Sequence, residues 1–528
     1  MSDWKALAQG KAEAINELIP QKWLLPAPLP SVDEQRDVTN YIRDSCQHGR
    51  LRSRRRTPSV LSQGPAQGRG KQERWLRPSA IGLQTNRPLH GLPVSLKDQF
   101  HVRDVETTMG YVGWIDTFEG KKGTGKEKAS ESEMVRELRT LGAVLYVKTS
   151  VPHTLMSGET INNIIGYTTN PKNRHLTAGG SSGGEGALIS LKGSAVGFGT
   201  DIAGSIRMPA AFNGLYGLKP STGRLPYEGM ATSMDGQNTV LSAVGPLATS
   251  AGGLRLVTKS LLSQQPWLHD PLVVGIPWRD EVEKEVFQLA KGRGLTFGIL
   301  VHDGVVTPHP PVKRALDIVK AQIEGLGYKV MEWQPPAHAR ATEILFKAML
   351  YDGGADVHDN FELSGEKIST QIAGLYGETR GKPQYTASQI AATNVEKREY
   401  QKEYLDFWNS TSAITGTGRP IDAWLAPVAP FVAARPGRYD YYGYSTTTNL
   451  LDYTTAVIPV TLADKKVDLR DETYKPLNEE DRKVWESYDA EIYDGAHVAV
   501  QLVGRRYQEE KVLALAEIIG EALGNKLV

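Results

Sequence analysis

Three glycine-rich stretches of the 528-residue chain hold residue types that can do chemistry: Gly91-Leu-Pro-Val-Ser-Leu-Lys-Asp98, Gly179-Gly-Ser-Ser-Gly-Gly-Glu-Gly186 and Gly199-Thr-Asp-Ile-Ala-Gly-Ser-Ile-Arg-Met-Pro209. They offer serine hydroxyls and one lysine. A hydroxyl attacks a carbonyl only when a positioned base removes its proton. Lysine, with an ordinary pKa of ~10.4, can be that base only when a buried setting keeps it neutral. Taken singly, each stretch also has a plain explanation: a flexible glycine-serine linker, or a surface charge at Lys97. The linker explanation is weakened by context, because the glycines of the second stretch run straight into the apolar segment Ala187 to Leu191. Glycines at such an entry serve close backbone approach rather than slack. Asp98 would raise the pKa of Lys97 if it faced the amine, so it is expected to point elsewhere. Glu185 is expected to cap or pair locally.

The elements that must position these residues follow from periodicity. Gly142 to Val147 reads as a buried strand after a helix over Glu131 to Leu141. Leu295 to Val301, Trp424 to Pro427 and Lys329 to Glu332 read as further strands, the last after a helix over Val312 to Leu326. Strands alternating with helices of this length predict an α/β layered fold with a largely parallel or mixed sheet. The tail from Tyr488 to Leu527 reads as mostly helical, with Val498, Leu502, Leu513, Leu515 and Ile518 among its apolar positions. Near the other end, Trp4, Leu7, Ala8, Ile15, Leu18 and Ile19 share one face of an amphipathic helix that Ser2 or Asp3 can cap. A second helix is expected from Val32 to Ser45, after the turn Pro26 to Pro30. The polar run Phe118 to Ser132 reads as a surface loop, and no internal repeat is found.

Composition narrows the class. An apolar fraction of 40% and a charged fraction of 23% are those of a globular protein. A net charge of +1 recommends neither nucleic acid nor an anionic membrane as partner. The single cysteine, Cys46, excludes an internal disulfide and fits a reducing compartment. The polar start Ser2-Asp3-Trp4-Lys5 lacks a secretory signal, and no run approaches a membrane span; a cytoplasmic location is the expectation. Residues 48–88 break the style of the rest: Arg50, Arg52, Arg54, Arg55 and Arg56 crowd together, and Gly, Pro, Gln and Arg dominate up to Gln72. Three readings stand for it: a basic surface or nuclear-import patch, a loop without direct function, or a stretch of aberrant genetic origin. The expected division is therefore 1–47 as an N-terminal helical segment, 48–88 as this atypical segment, and 89–528 as the catalytic domain.

Thr177 to Leu188 with Gly199 to Pro209 resembles the signature of the amidase signature family, and the two serines, Ser181 and Ser205, are 24 positions apart as in that family's catalytic pair. Tyr146 to Glu159, Asn213 to Gly229, Tyr444 to Pro459 and Gln501 to Tyr507 resemble its fungal acetamidase-like branch. The likeness runs from about Leu89 to the C-terminus. It implies one large domain with a central mixed β-sheet covered by helices on both faces. It also implies that Ser205 is the acylated nucleophile and Lys97 the general base. Ser181, held through a cis peptide bond after Gly180, would relay the proton. Ile202, Ala203, Gly204 and Ser205 match the oxyanion-hole positions, where each fixed donor is worth about 3 kcal/mol. Asp201 and Arg207 match residues that brace the nucleophile loop, and Leu155, beside Met156, matches a substrate-facing position. Two departures matter. The family has glycine where this chain has Ala203, and a positive φ there would strain alanine by about 1 kcal/mol or more. Residues 48–88 do not look like the Ala- and Leu-rich helices that support the lysine motif in relatives.

The resemblance implies hydrolysis of a carboxylic amide to acid plus ammonia or amine through an acyl-serine intermediate, with small aliphatic or aryl amides as substrates. It implies no cofactor and no metal, and a homodimer is compatible with it. None of the 11 histidines sits in a metal-ligand pattern. The competing readings are a fatty-acid-amide or ester hydrolase, the glutaminase subunit of a tRNA-linked amidotransferase, and a folded but inactive relative. Pocket walls are expected from scattered loops such as Tyr441 to Tyr444.

Overall fold

The computed structural model describes residues 3–18, 61–63 and 87–524. Its strands are β1 (Leu61–Gln63), β2 (Pro93–Lys97), β3 (Val144–Thr149), β4 (Ile161–Asn162), β5 (Gly166–Tyr167), β6 (Val196–Asp201), β7 (Tyr216–Lys219), β8 (Ala243–Ala248), β9 (Thr296–Ile299), β10 (Lys329–Glu332), β11 (Ala423–Pro427), β12 (Thr455–Leu462) and β13 (His497–Val503). β4 and β5 form a small hairpin; the other eleven make one sheet in the order β1-β3-β2-β6-β8-β7-β12-β13-β11-β9-β10, a ten-stranded body with β1 at its edge. The sheet is mixed. β2 runs parallel to β3 and β6, and β9 runs parallel to β10 and β11, while the strands between these groups pair antiparallel.

Alternation along β11 shows that both faces are covered. Ala423 and Leu425 join the large core that the helices Ala251–Leu262, Pro310–Gly325 and Glu509–Ala522 close. Trp424 and Ala426 point the other way, into a second core with Trp333, Tyr404 and Trp408. A strand side chain alternates faces with period two, so both faces of the sheet are apolar and buried. The mixed sheet between helical layers is the α/β fold expected from the sequence.

Element by element, the expected helices and strands lie close to their places: Glu133–Thr140 before β3, Pro310–Gly325 before β10. The N-terminal helix spans Trp4–Glu17 and is capped by the Asp3 side chain, which accepts from the N–H groups of Lys5 and Ala6. Its Ala8 and Ile15 pack on Val112, Ile115 and Ile164, while Leu7 and Leu18 stay exposed. Phe118 to Ser132 is a loop, exposed from Lys121 to Lys126. The tail departs from expectation. Val498 and Leu502 lie in β13, an interior strand between β12 and β11, and only Glu509–Ala522 is a long helix. All seven residues of β13 are buried, so they carry no two-fold pattern of apolar and polar, which is why the run reads as part of a helix. The helix expected over Val32 to Ser45 and all of residues 48–88 except 61–63 and 87–88 lie outside the described residues. Among the described residues no helix is long and apolar enough to cross a membrane.

Candidate functional site

Two neighbouring parallel strands bring the first groups together. β2 ends at Lys97 and β6 carries Thr200 near its own end, with Leu96 paired to Phe198. At these ends Lys97 Nζ lies 2.7 Å from Ser181 Oγ and 2.8 Å from Thr200 Oγ1. Ser181 comes from the turn that precedes the helix Gly183–Ser190, and the peptide bond between Gly180 and Ser181 is cis. The Ser182 N–H donates to the Ser205 carbonyl at 3.1 Å, which clips this turn to the one after β6. Ser181 and Ser205 thus line one cavity, both nearly withdrawn from solvent.

Burial sets the charge of the lysine. Desolvation lowers the Lys97 pKa to about 7, against the pull of the Asp201 and Glu185 carboxylates, which favour the ammonium form. Asp98 does point elsewhere, forming an ion pair with Lys148 at 2.6 Å. Glu185 does not cap its own helix. It is fully buried, accepting from Ser95 Oγ at 2.5 Å and from Thr149 Oγ1 at 2.6 Å, and so ties the helix to β2 and β3. Burial raises its pKa to about 7.

Asp201 and Arg207 brace the turn between them. Their buried pair is 3.0 Å apart, and Arg207 also donates to Gln501 Oε1 at 2.9 Å and to the Ser445 carbonyl at 3.0 Å. Burial alone would raise the Asp201 pKa, but the Arg207 guanidinium holds it well below the usual carboxylate range. The Asp201 carboxylate accepts from the N–H groups of Gly204 at 2.7 Å, Ile206 at 3.1 Å and Arg207 at 3.3 Å. The Gly204 N–H is therefore turned inward to Asp201. Among the described residues the N–H groups of Ile202, Ala203 and Ser205 make no bond of this kind. The strain expected at Ala203 is not there: φ is positive at Gly204, at 117°, and not at Ala203.

The cavity, about 140 Å³, is lined on one side by Gln99, Leu155, Met156, Ser181, Thr200, Ile202 and Ser205. Its other wall is the segment from Thr222 to Ser242, with Tyr227, Met234 and Val240 facing in. The first part of that wall falls in Asn213 to Gly229, which carries the family resemblance, but residues 230–242 carry no motif. Thr200 lies inside the third glycine-rich stretch, and Gln99 is signalled only by following Lys97 and Asp98. Tyr441 to Tyr444 do not line the cavity. Tyr442 OH instead accepts from the Gly158 N–H at 2.9 Å, and Tyr441 bonds Asp303, so this segment supports neighbouring loops. Among the described residues no group of His, Cys, Asp and Glu is placed to hold a metal ion.

The family model described as Amidase matches residues 67–513. An acetamidase of Aspergillus oryzae is 47% identical over 438 residues, covering 83% of this chain and 78% of that protein. An acetamidase of Emericella nidulans is 46% identical over 441 residues, with the same shares covered, 83% and 78%. A solved structure of a fatty acid amide hydrolase superposes with a TM-score of 0.83 at 27% identity, covering 100% of this chain and 96% of that one.

Proposed function

The chain belongs to the amidase family, a family of hydrolases acting on amide bonds, and from that premise we propose that it hydrolyses small aliphatic or aryl carboxylic amides through an acyl-enzyme on Ser205. The observation that carries this reading is the buried contact of Lys97 Nζ with Ser181 Oγ, 2.7 Å, in the cavity that Ser205 also lines. With its pKa near 7, Lys97 is available as a neutral amine at cellular pH. In the proposed sequence Lys97 takes the proton of Ser181, Ser181 takes that of Ser205, and Ser205 Oγ attacks the amide carbonyl. The N–H groups of Ile202, Ala203 and Ser205 receive the developing oxyanion, while Gly204 keeps the turn in place through Asp201. Ser181 then returns the proton to the leaving amine, and water releases the carboxylate from Ser205.

Small substrates are favoured by the cavity volume of about 140 Å³, with Leu155, Met156, Ile202 and Met234 as apolar contacts for the acyl group. The acetamidases named above support the same substrate class. Residues 89–528 are the unit to which this activity is assigned. The test is ammonia release from a panel of amides graded by acyl length. Release that disappears in Ser205→Ala and falls at least a hundredfold in Lys97→Ala is expected; hydrolysis unchanged in Ser205→Ala would sink the proposal. A preference for long acyl chains would favour the fatty-acid-amide reading instead.

A further inference from the structure

The hydrogen bonds that leave Lys97 do not stop at Thr200. The Thr200 hydroxyl donates to Gln99 Oε1 at 2.7 Å, and Gln99 Nε2 donates to the Tyr227 hydroxyl at 2.7 Å. The donors all point one way, from Lys97 through Thr200 and Gln99 to Tyr227. A hydroxyl has one proton to give. Because Thr200 gives its proton to Gln99, its oxygen faces Lys97 only as an acceptor. A neutral amine has two N–H bonds and one lone pair. Giving one N–H to Thr200 at 2.8 Å leaves a second N–H and the lone pair. Ser181 Oγ, which accepts from Lys97 Nζ at 2.7 Å, is the partner the lone pair meets when the Ser181 hydroxyl turns its proton to the amine. If Gln99 could not accept, the Thr200 hydroxyl would be free to turn its proton onto the same lone pair and compete with Ser181. The Tyr227 hydroxyl accepts from the Nε2 end of the Gln99 amide, which leaves Oε1 turned to Thr200. Gln99 is 1% exposed, although it borders the cavity, so both bonds lie in a setting where an unpaired polar group is costly.

We propose that Gln99, anchored by Tyr227, is a positioning residue that aims the Lys97 lone pair at Ser181 through Thr200. The inference rests on the reading of Lys97 as the base. The charged groups around the chain of bonds are these: Glu185 and Asp201 face Lys97, Asp98 is paired with Lys148, Asp235 acts on Tyr227, and the Asp270 carboxylate, which also lines the cavity, accepts from the Tyr227 N–H at 2.7 Å.

The experiment follows covalent labelling of Ser205 in the full chain by two fluorophosphonate probes, one short and one long in its alkyl group, across pH 5 to 10. Gln99→Met, close in shape but without the amide, should slow labelling roughly tenfold with both probes at an unchanged melting temperature. Gln99→Glu still accepts from Thr200. It should regain most of the rate at high pH, with the acid limb moved upward because the added negative charge favours protonated Lys97. Tyr227→Phe should slow labelling by a smaller factor, about threefold. Gln99→Met labelling at the unsubstituted rate at every pH would overturn the proposal. So would a loss that differs between the two probes, which would mark Gln99 as a ligand contact. Should Gln99→Met fail to fold, Gln99→Glu decides: a slow rate persisting at pH 10 in a folded protein overturns the proposal. If the unsubstituted chain is not labelled at Ser205 at all, the reading of the site falls and this inference with it.

Discussion

At the scale of single residues, the proposed mechanism requires a neutral Lys97 amine, and burial rather than a neighbouring cation lowers its pKa to about 7. The expected outcome is an acid limb in kcat/KM near pH 7, with activity rising as Lys97 loses its proton and level above about pH 8. Glu185, raised to about 7 by the same burial, titrates in that range, so the apparent midpoint belongs to both groups. The stability consequence has a definite sign. The folded chain holds Lys97 below its unfolded pKa, so the unfolded state binds more protons between pH 7 and 10.5, and stability rises with pH across that window. Lys97→Met should therefore raise the unfolding free energy at pH 8 by about 2 kcal/mol while abolishing turnover, which denaturant titration can read. The turn after β6, proposed to hold the oxyanion, supplies a second contrast. At Gly204 an added Cβ would lie 2.8 Å from Met208 Cε and from Ser445 Cβ, on a backbone with φ of 117°. Gly204→Ala should cost at least a hundredfold in kcat, whereas Ala203→Gly should change kcat less than twofold; steady-state kinetics on one amide decide both.

At the scale of elements, the site is held where three strands and one helix meet around a single carboxyl. Ser95 of β2 and Thr149 of β3 hold Glu185, and Gly197 of β6 leaves the space it occupies. An added Cβ at Gly197 would come within 1.7 Å of Glu185 Oε2 and 2.4 Å of Ser95 Oγ. Gly197→Ala should thus push the helix Gly183–Ser190 away from the sheet, lowering stability by about 3 kcal/mol and displacing Ser181 from Lys97. Thermal unfolding together with the labelling rate of Ser205 would show both losses; an unchanged melting temperature would refute this account. What was legible in the sequence divides along the same line. The motifs around Lys97, Ser181 and Ser205 are local, so their glycines and spacing were visible. The parallel pairing of β2 and β6, which sets Lys97 beside Thr200, depends on residues a hundred positions apart and leaves no local mark. Glu185 illustrates the gap: a glutamate early in a helix suggests a local cap, yet its partners come from two distant strands. β13 was missed for a related reason, since a strand buried on both faces loses the alternation that identifies strands. The cavity wall from Met230 to Ser242 has only tertiary placement to define it.

At the scale of the whole molecule, one large core runs from Leu89 to Ile519, so the two ends of the stretch 87–524 fold against each other, while the helix Trp4–Glu17 packs in a small cluster of its own. The tie between the C-terminal helix and the candidate cavity runs through buried ion pairs and hydrogen bonds. Arg224, wholly buried, donates to Glu509 Oε2 at 3.0 Å and to Glu510 Oε1 at 2.7 Å, while Arg279 donates to Glu510 Oε2 at 2.6 Å. Both glutamates begin the helix Glu509–Ala522, where negative charge is favoured. Arg224 sits between Gly223 and Leu225, which line the cavity, so the same residue that anchors the last helix also fixes the far wall. Removing the guanidinium leaves two buried carboxylates short of a partner, at a cost of about 3–5 kcal/mol. Arg224→Met should therefore lower the melting temperature in one transition shared by tryptophan fluorescence and far-ultraviolet circular dichroism, since the two cores lie on opposite faces of the same strands. The compensating change is specific. Glu509 Oε1 also accepts from the Ser221 N–H at 2.9 Å and from Thr454 Oγ1 at 2.8 Å, bonds that a glutamine oxygen can keep. Glu509→Gln in the Arg224→Met background should recover roughly half of the lost stability, because Glu509 is left with no cationic partner among the described residues while Glu510, which also loses Arg224, still has Arg279. Additive losses in the double variant would show instead that Arg224 acts by packing alone, and two separate transitions would show that the last helix unfolds apart from the sheet.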